Sequence, residues 1–357
     1  MKKIFQSLLF ISAVSSLLSC TEKLDIAAPY KNITVVYGLL NRADTAHYIR
    51  IQKAFMDENQ SAIDLAKVAD SSFYNALEVV VKEITPSGAL KDTFHLSKVE
   101  LTLEGYAKEA GAFFNSPHYA YKFKHILDTN NQYRVVITNT QTGNVDSAVT
   151  PIITNMGPNF TQFGVIEWQR SSVSFTKVYR ENGDLDESSY TVIIPPNVGV
   201  AELILRFHWT DSNVVTKTAV KRHADFTQFA QKFGSFTPSP TLSNRFDLTT
   251  QNKNIYDFLK GTMGLPASAD QYRYMDSCDM LLYVAGTEYL KYKDLNTNKG
   301  GITANEIRPF YTNIQGKDVL GLFSTRSYIQ KKMGIGSITM DSLRSNSITR
   351  DLNIRFY

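Results

Sequence analysis

The stretch VAELILRFHW, residues 200 to 209, decides the fold class through its alternation. Ala201, Leu203, Leu205, Phe207 and Trp209 fall on one side, and Glu202, Ile204, Arg206 and His208 on the other. Side chains along a strand point alternately to opposite faces, so the segment reads as a strand with one face on a deep core. The other face, polar except at Ile204, is left toward the surface.

The same period of two runs through the first half of the chain. In AHYIRIQKAF (46–55), Ile49, Ile51 and Phe55 share a face opposite Arg50 and Gln52; in NALEVVVKEI (75–84), Leu77, Val79 and Val81 alternate with Glu78, Val80 and Lys82. Further strands are expected in ITVVYGLL (33–40), TFHLSKVEL (93–101), HYAYKFKHI (118–126), YRVVITNT (133–140) and DSAVTPII (146–153). Short strands separated by polar turns predict an immunoglobulin-like or transthyretin-like β-sandwich over residues 33–155, and the pattern does not choose between the two. SAIDLAKVAD (61–70) is expected to add a helical turn. EGYAKEAGAFFNSP (104–117) reads as a long loop with Phe113 and Phe114 packed beneath it.

A boundary is expected at TNMGPNF (154–160), where Asn155, Gly157, Pro158 and Asn159 cluster. Beyond it, residues 160–357 read as a second β-rich domain with helical insertions. GVIEWQ, VSFTKVY, a turn at Asn182, Gly183 and Asp184, and SSYTVIIPP suggest a hairpin with a long tip. Phe226, Phe229 and Phe233 recur at helical spacing in DFTQFAQKF, as do Ile255, Phe258 and Leu259 in NKNIYDFLKGTMG, where Asn254 is a candidate cap and Gly261 or Gly264 a candidate end. TEYLKYKDL (287–295) is a third helix candidate. The strands VLGLFSTRSYIQKK (319–332) and SITRDLNIRFY (347–357) close the chain.

The first residues speak to location. Lys2 and Lys3 precede the apolar run Ile4–Leu18, which is shorter than a membrane-spanning helix requires and is broken by Gln6 and several serines. Leu17, Leu18 and Ser19 stand directly before Cys20, which resembles a bacterial lipobox. The resemblance implies a signal peptide at 1–19, acylation of Cys20, and a lipidated tether at 20–32, with the mature chain anchored to outer-membrane lipid rather than spanning it. With Cys20 acylated, Cys278 is the one remaining cysteine, so no intramolecular disulfide is expected. Cys278 has no neighbouring histidine or second cysteine and reads as a packed, inert thiol.

The composition is ordinary for a folded chain of 357 residues: 43% hydrophobic and 12% aromatic, enough for two cores. The formal charge of +4 includes Lys2 and Lys3, and the charges of both signs are interspersed, so no nucleic-acid footprint is present. No HExxH, GxSxG or Walker-type glycine loop occurs, and neither catalytic residues, cofactor nor metal site is expected. Paired carboxylates for glycoside hydrolysis leave no sequence pattern and stay as a lesser alternative. His118 and His125 are seven apart across a strand, on opposite faces, and His208 reads as an outward residue. In DLNTNKGGITANE, Asp294, Asn296 and Asn298 match the first, third and fifth positions of a calcium loop, but Lys299 and Asn305 break the sixth and twelfth, so a polar turn is expected.

ITVVYGLLNRAD (33–44) with YIRIQKAF (48–55), DMLLYVAGTEYLKYKDLN (279–296), and YTNIQGKDVLGLFSTRSYIQKK (311–332) together resemble a family of Bacteroidota cell-envelope lipoproteins of unassigned function. The most characteristic phrase is GLFSTRS, with Gly321 and Phe323 after Asn313. The resemblance implies a surface-exposed accessory of a TonB-dependent outer-membrane transporter, binding a glycan or peptide ligand without catalysis. A structural or assembly role in the outer membrane is the alternative. An aromatic-lined groove favours glycan capture, and a broad apolar patch favours a protein partner.

Overall fold

The computed structural model describes residues 33–54, 64, 67–108, 110–111, 114–154, 164–165, 170–232, 245–297 and 311–355. The signal segment, Cys20 and the expected boundary at 155–160 lie outside them. The fold is mainly β, with several sheets and a few helices.

The first strands are β1 (Ile33–Asn41), β2 (Ala46–Ala54), β3 (Leu77–Ile84), β4 (Leu90–His95), β5 (Ser97–Glu100), β6 (Tyr119–Lys124), β7 (Gln132–Asn139) and β8 (Val145–Pro151). They form a sandwich: β1, β2, β6 and β5 lie in one sheet, and β4, β3, β7 and β8 in the other. Between them are buried Val36, Leu40, Ile49, Ile51, Val79, Val81, Phe123, Tyr133, Val135 and Ile137, the inward sets that the alternation of each strand supplies. The expected strand TFHLSKVEL is divided at Leu96, its halves β4 and β5 serving opposite sheets. Glu83 follows the inward parity of β3 and is buried; Asn131, Lys91 and His125 surround its carboxylate. Phe114 packs edge-to-face on Phe73, while Phe113 and Phe55 lie outside the described residues. Of SAIDLAKVAD, residues 64 and 67–70 are described, and a helical turn, Ala69–Ser72, begins at its end.

The later strands are β9 (Gly164–Val165), β10 (Ser172–Val173), β11 (Glu187–Ile193), β12 (Val198–Asn213), β13 (Thr218–Lys232), β14 (Arg245–Gln251), β15 (Gln271–Gly286), β16 (Val319–Ile335) and β17 (Ile354–Arg355). β9 runs antiparallel to β11 as a hairpin with a long tip would, and β14 flanks β11 on its other side. This small sheet and the helix Asn252–Met263 cover the inward row Ala201, Leu203, Leu205, Phe207 and Trp209 of β12. The helix starts after Gln251 and ends at Gly264, whose φ of 65° a glycine adopts without strain.

Two sequence expectations fail here. The segment with Phe226 and Phe229 is not helical: Thr218–Lys232 is strand β13, paired with β12, and Phe233 lies outside the described residues. Its register slips between Leu203↔Phe229 and Leu205↔Phe226, three residues spanning what two span on β12. A β-bulge therefore sets positions 226 and 229 opposite inward residues at a spacing that imitates a helix. The final SITRDLNIRFY is not one strand either. A helix, Ser337–Ser345, precedes a 3-10 turn at Arg350–Leu352, left-handed Asn353 and the two-residue β17. Leu352 reaches the core from that turn and Ile354 from β17, and the Thr349 hydroxyl donates to the Leu343 carbonyl.

The two cores share one sheet, ordered β13-β12-β15-β16-β1-β2-β6-β5. β16 joins the halves: residues 319–326 pair in parallel with β1, and 326–333 pair antiparallel with β15. Val319 and Phe323 enter the first core, while Ile329 and Met333, of the same parity, enter the second. Both cores therefore lie on one face of the long sheet. Asn313, Gly321 and Phe323 build this joint. Gly321 stands opposite Val36 with φ of 122°, and a Cβ there would lie 1.9 Å from the Val36 carbonyl oxygen. Phe323 stands opposite Gly38, where a Cβ would lie 2.8 Å from its ring. The Asn313 side-chain amide pairs with the Phe323 backbone at 2.7 and 2.9 Å, acting as a one-residue strand neighbour.

Gly321→Ala is expected to lower stability by about 3 kcal/mol or more, because backbone must move. Urea melts of wild type and variant measure this; an unchanged midpoint would mean that the joint yields freely.

Candidate functional site: a tyrosine-lined cleft

With both cores on one face, the opposite face of the long sheet is left open. On β1 it carries Tyr37 and Leu39, on β2 Tyr48 and Arg50, on β16 Arg326 and Tyr328, on β15 Leu281 and Tyr283, and on β12 Glu202 and Ile204. The helix Thr287–Thr297 lies on this face, packing Leu290 and Tyr289 against Val200 and Ala285. Beside it opens a cleft of about 510 Å³, lined by Tyr37, Tyr48, Tyr106, Tyr289 and Tyr292 together with His118 and Arg326. A second lobe of about 280 Å³ shares Leu39, Tyr289 and Arg326 with the first and continues past Tyr283 toward Ile204.

Four of the five tyrosines form edge-to-face pairs. The Tyr37 and Tyr292 rings lie 6.0 Å apart at 79°, with their hydroxyls 3.2 Å apart; Tyr48 and Tyr106 lie 5.3 Å apart at 69°. Positions 289 and 292 are three apart on the helix and so project to neighbouring parts of one face. Burial and the Tyr292 hydroxyl push the Tyr37 phenol up to about 12, which keeps it a neutral donor at all physiological pH. The Tyr48 hydroxyl donates to Glu104 at 2.9 Å, and Lys122 pairs with the same carboxylate. Glu104 is held below its usual range by the Lys122 and Tyr48 hydrogen bonds.

Two histidines flank this region. His47, on the inward face of β2, is buried against Phe123 and contacts the His125 carbonyl at 3.0 Å. His118 lines the cleft, and its backbone N–H donates to the Glu100 carboxylate. Burial holds both imidazoles below the ordinary value, and for His118 the nearby Arg50 and Lys108 charges lower it further.

The sequence candidates distribute as follows. His118 and His125 stand at opposite ends of β6, and His125 turns to Glu83 at 3.4 Å. His208 is on the open face of the sheet, 3.1 Å from Asp279, in a polar pocket of about 410 Å³ with Asp276 and Lys332. Cys278 is wholly buried, and burial raises its thiol well above the usual range. Asp294 and Asn296 lie within the 287–297 helix, and the remaining calcium-loop positions, like Cys20, are outside the described residues. Among the described residues no cluster of three or more His, Cys, Asp or Glu side chains suits a metal, and no helix is long and apolar enough to cross a membrane. The cleft tyrosines were not singled out from sequence. The available signal was Tyr37 and Tyr48 at the outward positions of strands whose inward positions already supply the core.

No family model and no curated protein matches this chain. Among solved structures it resembles trypsin-activated alpha-2-macroglobulin from Escherichia coli, at 11% identity and TM-score 0.18, covering 75% of this chain and 15% of that one. It also resembles the C-terminal globular domain of an oligosaccharyltransferase from Pyrococcus abyssi, at 10% identity and TM-score 0.18, covering 82% of this chain and 43% of that one. The chain thus spans less than half the length of either, and likenesses this slight say nothing about activity.

The depressed histidines predict an acid-sensitive fold. Above the unfolded imidazole value of about 6.5 both states are neutral; below it the unfolded chain takes up protons that His47 and His118 resist, so stability falls. The melting temperature is expected to drop between pH 7 and pH 5, and His47→Gln, which keeps a donor toward the His125 carbonyl, is expected to reduce that drop.

Proposed function

We propose that the protein is a lipid-anchored, non-catalytic binding protein of the outer membrane that captures a glycan in the tyrosine cleft and serves an import transporter. The single observation that carries this reading is the concentration of five tyrosines in a cleft of about 510 Å³, within the range of small-ligand sites. Sugar rings present apolar C–H faces and a rim of hydroxyls. Tyrosine answers both, with a flat ring for the face and a hydroxyl for the rim. The large lobe carries one carboxylate, Asp44, and the second lobe another, Glu202, which pairs with Lys293 at 3.7 Å. The lipobox-like segment ending at Cys20 supplies the anchor, and two or three acyl chains hold a protein stably to a bilayer.

Three experiments test this reading. Cys20→Ser is expected to move the protein from the outer-membrane fraction to the soluble fraction of its host; retention in the membrane would remove the anchor. Titration calorimetry of the purified protein against a panel of soluble oligosaccharides is expected to find a binder whose affinity falls about tenfold in Tyr37→Ala, at little cost in melting temperature. A detergent pull-down that recovers envelope-assembly components and no transporter would favour the structural role instead.

A further inference from the structure

We infer that the ligand of the tyrosine cleft is an acidic oligosaccharide, carrying carboxylate or sulfate groups, and that Arg50 supplies its counter-charge. The inference rests on the cleft being the binding site. Arg50 lies on the open face of β2, directly opposite Tyr37 in register and two residues from Tyr48. Its Nε is buried and meets no hydrogen-bond acceptor, and Arg50 makes no ion pair among the described residues. A half-buried guanidinium left in this way is costly, and folded proteins ordinarily give it a carboxylate.

Lys108 and Arg326 add positive charge nearby. His118 lines the cleft in the field of Arg50 and Lys108, which together with burial disfavour its charged form, and its Nδ1 is buried with no hydrogen-bond partner. Lys108, next in that cluster, contacts the Phe114 carbonyl and ring. Arg326 is exposed and lines both lobes. The nearby acids are engaged elsewhere: Glu104 with Lys122 and Tyr48, and Glu100 with the His118 backbone and the Thr102 hydroxyl. Asp44 alone lines the large lobe as an acid. Arg50 is not part of the cleft lining but adjoins it through Tyr37, its partner in register, and Tyr48, so an anion seated beside those rings lies in the field of a guanidinium that no carboxylate of the described residues neutralises, and guanidinium–carboxylate or guanidinium–sulfate bonds are among the stronger polar contacts available. The tyrosines select a ring-bearing ligand, and Arg50 selects its charge.

The test uses titration calorimetry of the detergent-solubilised full-length lipoprotein with four probes: a galacturonic acid oligomer, a sulfated galactose oligomer, a neutral galactose oligomer of the same length, and polyglutamate. The acidic sugars are expected to bind at least about tenfold more tightly than the neutral one, with affinity falling as ionic strength rises. Arg50→Met is expected to abolish this preference while leaving the unliganded melting temperature unchanged or raised, and Arg50→Lys to retain part of it. Equal binding of neutral and acidic sugars, or an affinity independent of salt, would overturn the charge assignment and leave the glycan cleft standing. Polyglutamate binding as tightly as the sugars would overturn the saccharide assignment. Absence of binding by all four would overturn both this inference and the cleft as the binding site. The salt dependence of the wild-type protein decides the matter even if the Arg50 variants fail to fold.

Discussion

The parallel pairing of β1 with the first half of β16 is the contact on which the other features depend. Nearly three hundred residues separate these strands in sequence, and closing so long a loop costs entropy that local contacts do not repay. Repayment comes from the joint itself. Gly321 lets two backbones approach where no side chain fits, Gly38 makes room for the Phe323 ring, and the Asn313 amide satisfies the Phe323 backbone where β15 does not reach. Remove the joint and the long sheet divides into one of four strands, β1, β2, β6 and β5, and one of six, β13, β12, β15 and β16 with the short β10 and β17.

The joint also determines where a ligand can go. Because β16 feeds alternate residues of one parity into both cores, its other parity is left on a continuous open face. A sheet face of this extent must be solvated, covered or used. The 287–297 helix covers part of it, and the cleft is what remains between that helix and the strands of the first sandwich. Its walls therefore come from both halves of the chain: Tyr37, Tyr48 and Tyr106 from the first, Tyr289, Tyr292 and Arg326 from the second. Neither half supplies the tyrosine pair Tyr37 and Tyr292 alone.

Strand alternation made the mainly β class and most strands legible, since period-two patterning reports burial directly. The same logic misled at β13, where a bulge converted strand positions into helical spacing, and at the C-terminus, where buried Leu352 comes from a 3-10 turn and Ile354 from a strand of two residues. Burial of Glu83 was also hidden: it continues the inward parity of β3, but a carboxylate there is intelligible only once Lys91, Asn131 and His125 are seen around it. The characteristic residues Asn313, Gly321 and Phe323 stood out in the sequence, yet nothing in their order says that they fasten a strand to one near the beginning of the chain.

The sequence by itself determined the alternation that makes sandwich strands, the positions of two helices, the lone interior cysteine and the lipobox-like segment before Cys20. These are local quantities, set by periodicity and by neighbours a few residues away. The tertiary structure alone decided the rest: the single sheet shared by two cores, the open face this leaves, and the meeting of tyrosines and cations there. Such placements depend on pairings between distant strands, and strand pairing is chosen by the packing of the whole chain rather than by any segment within it.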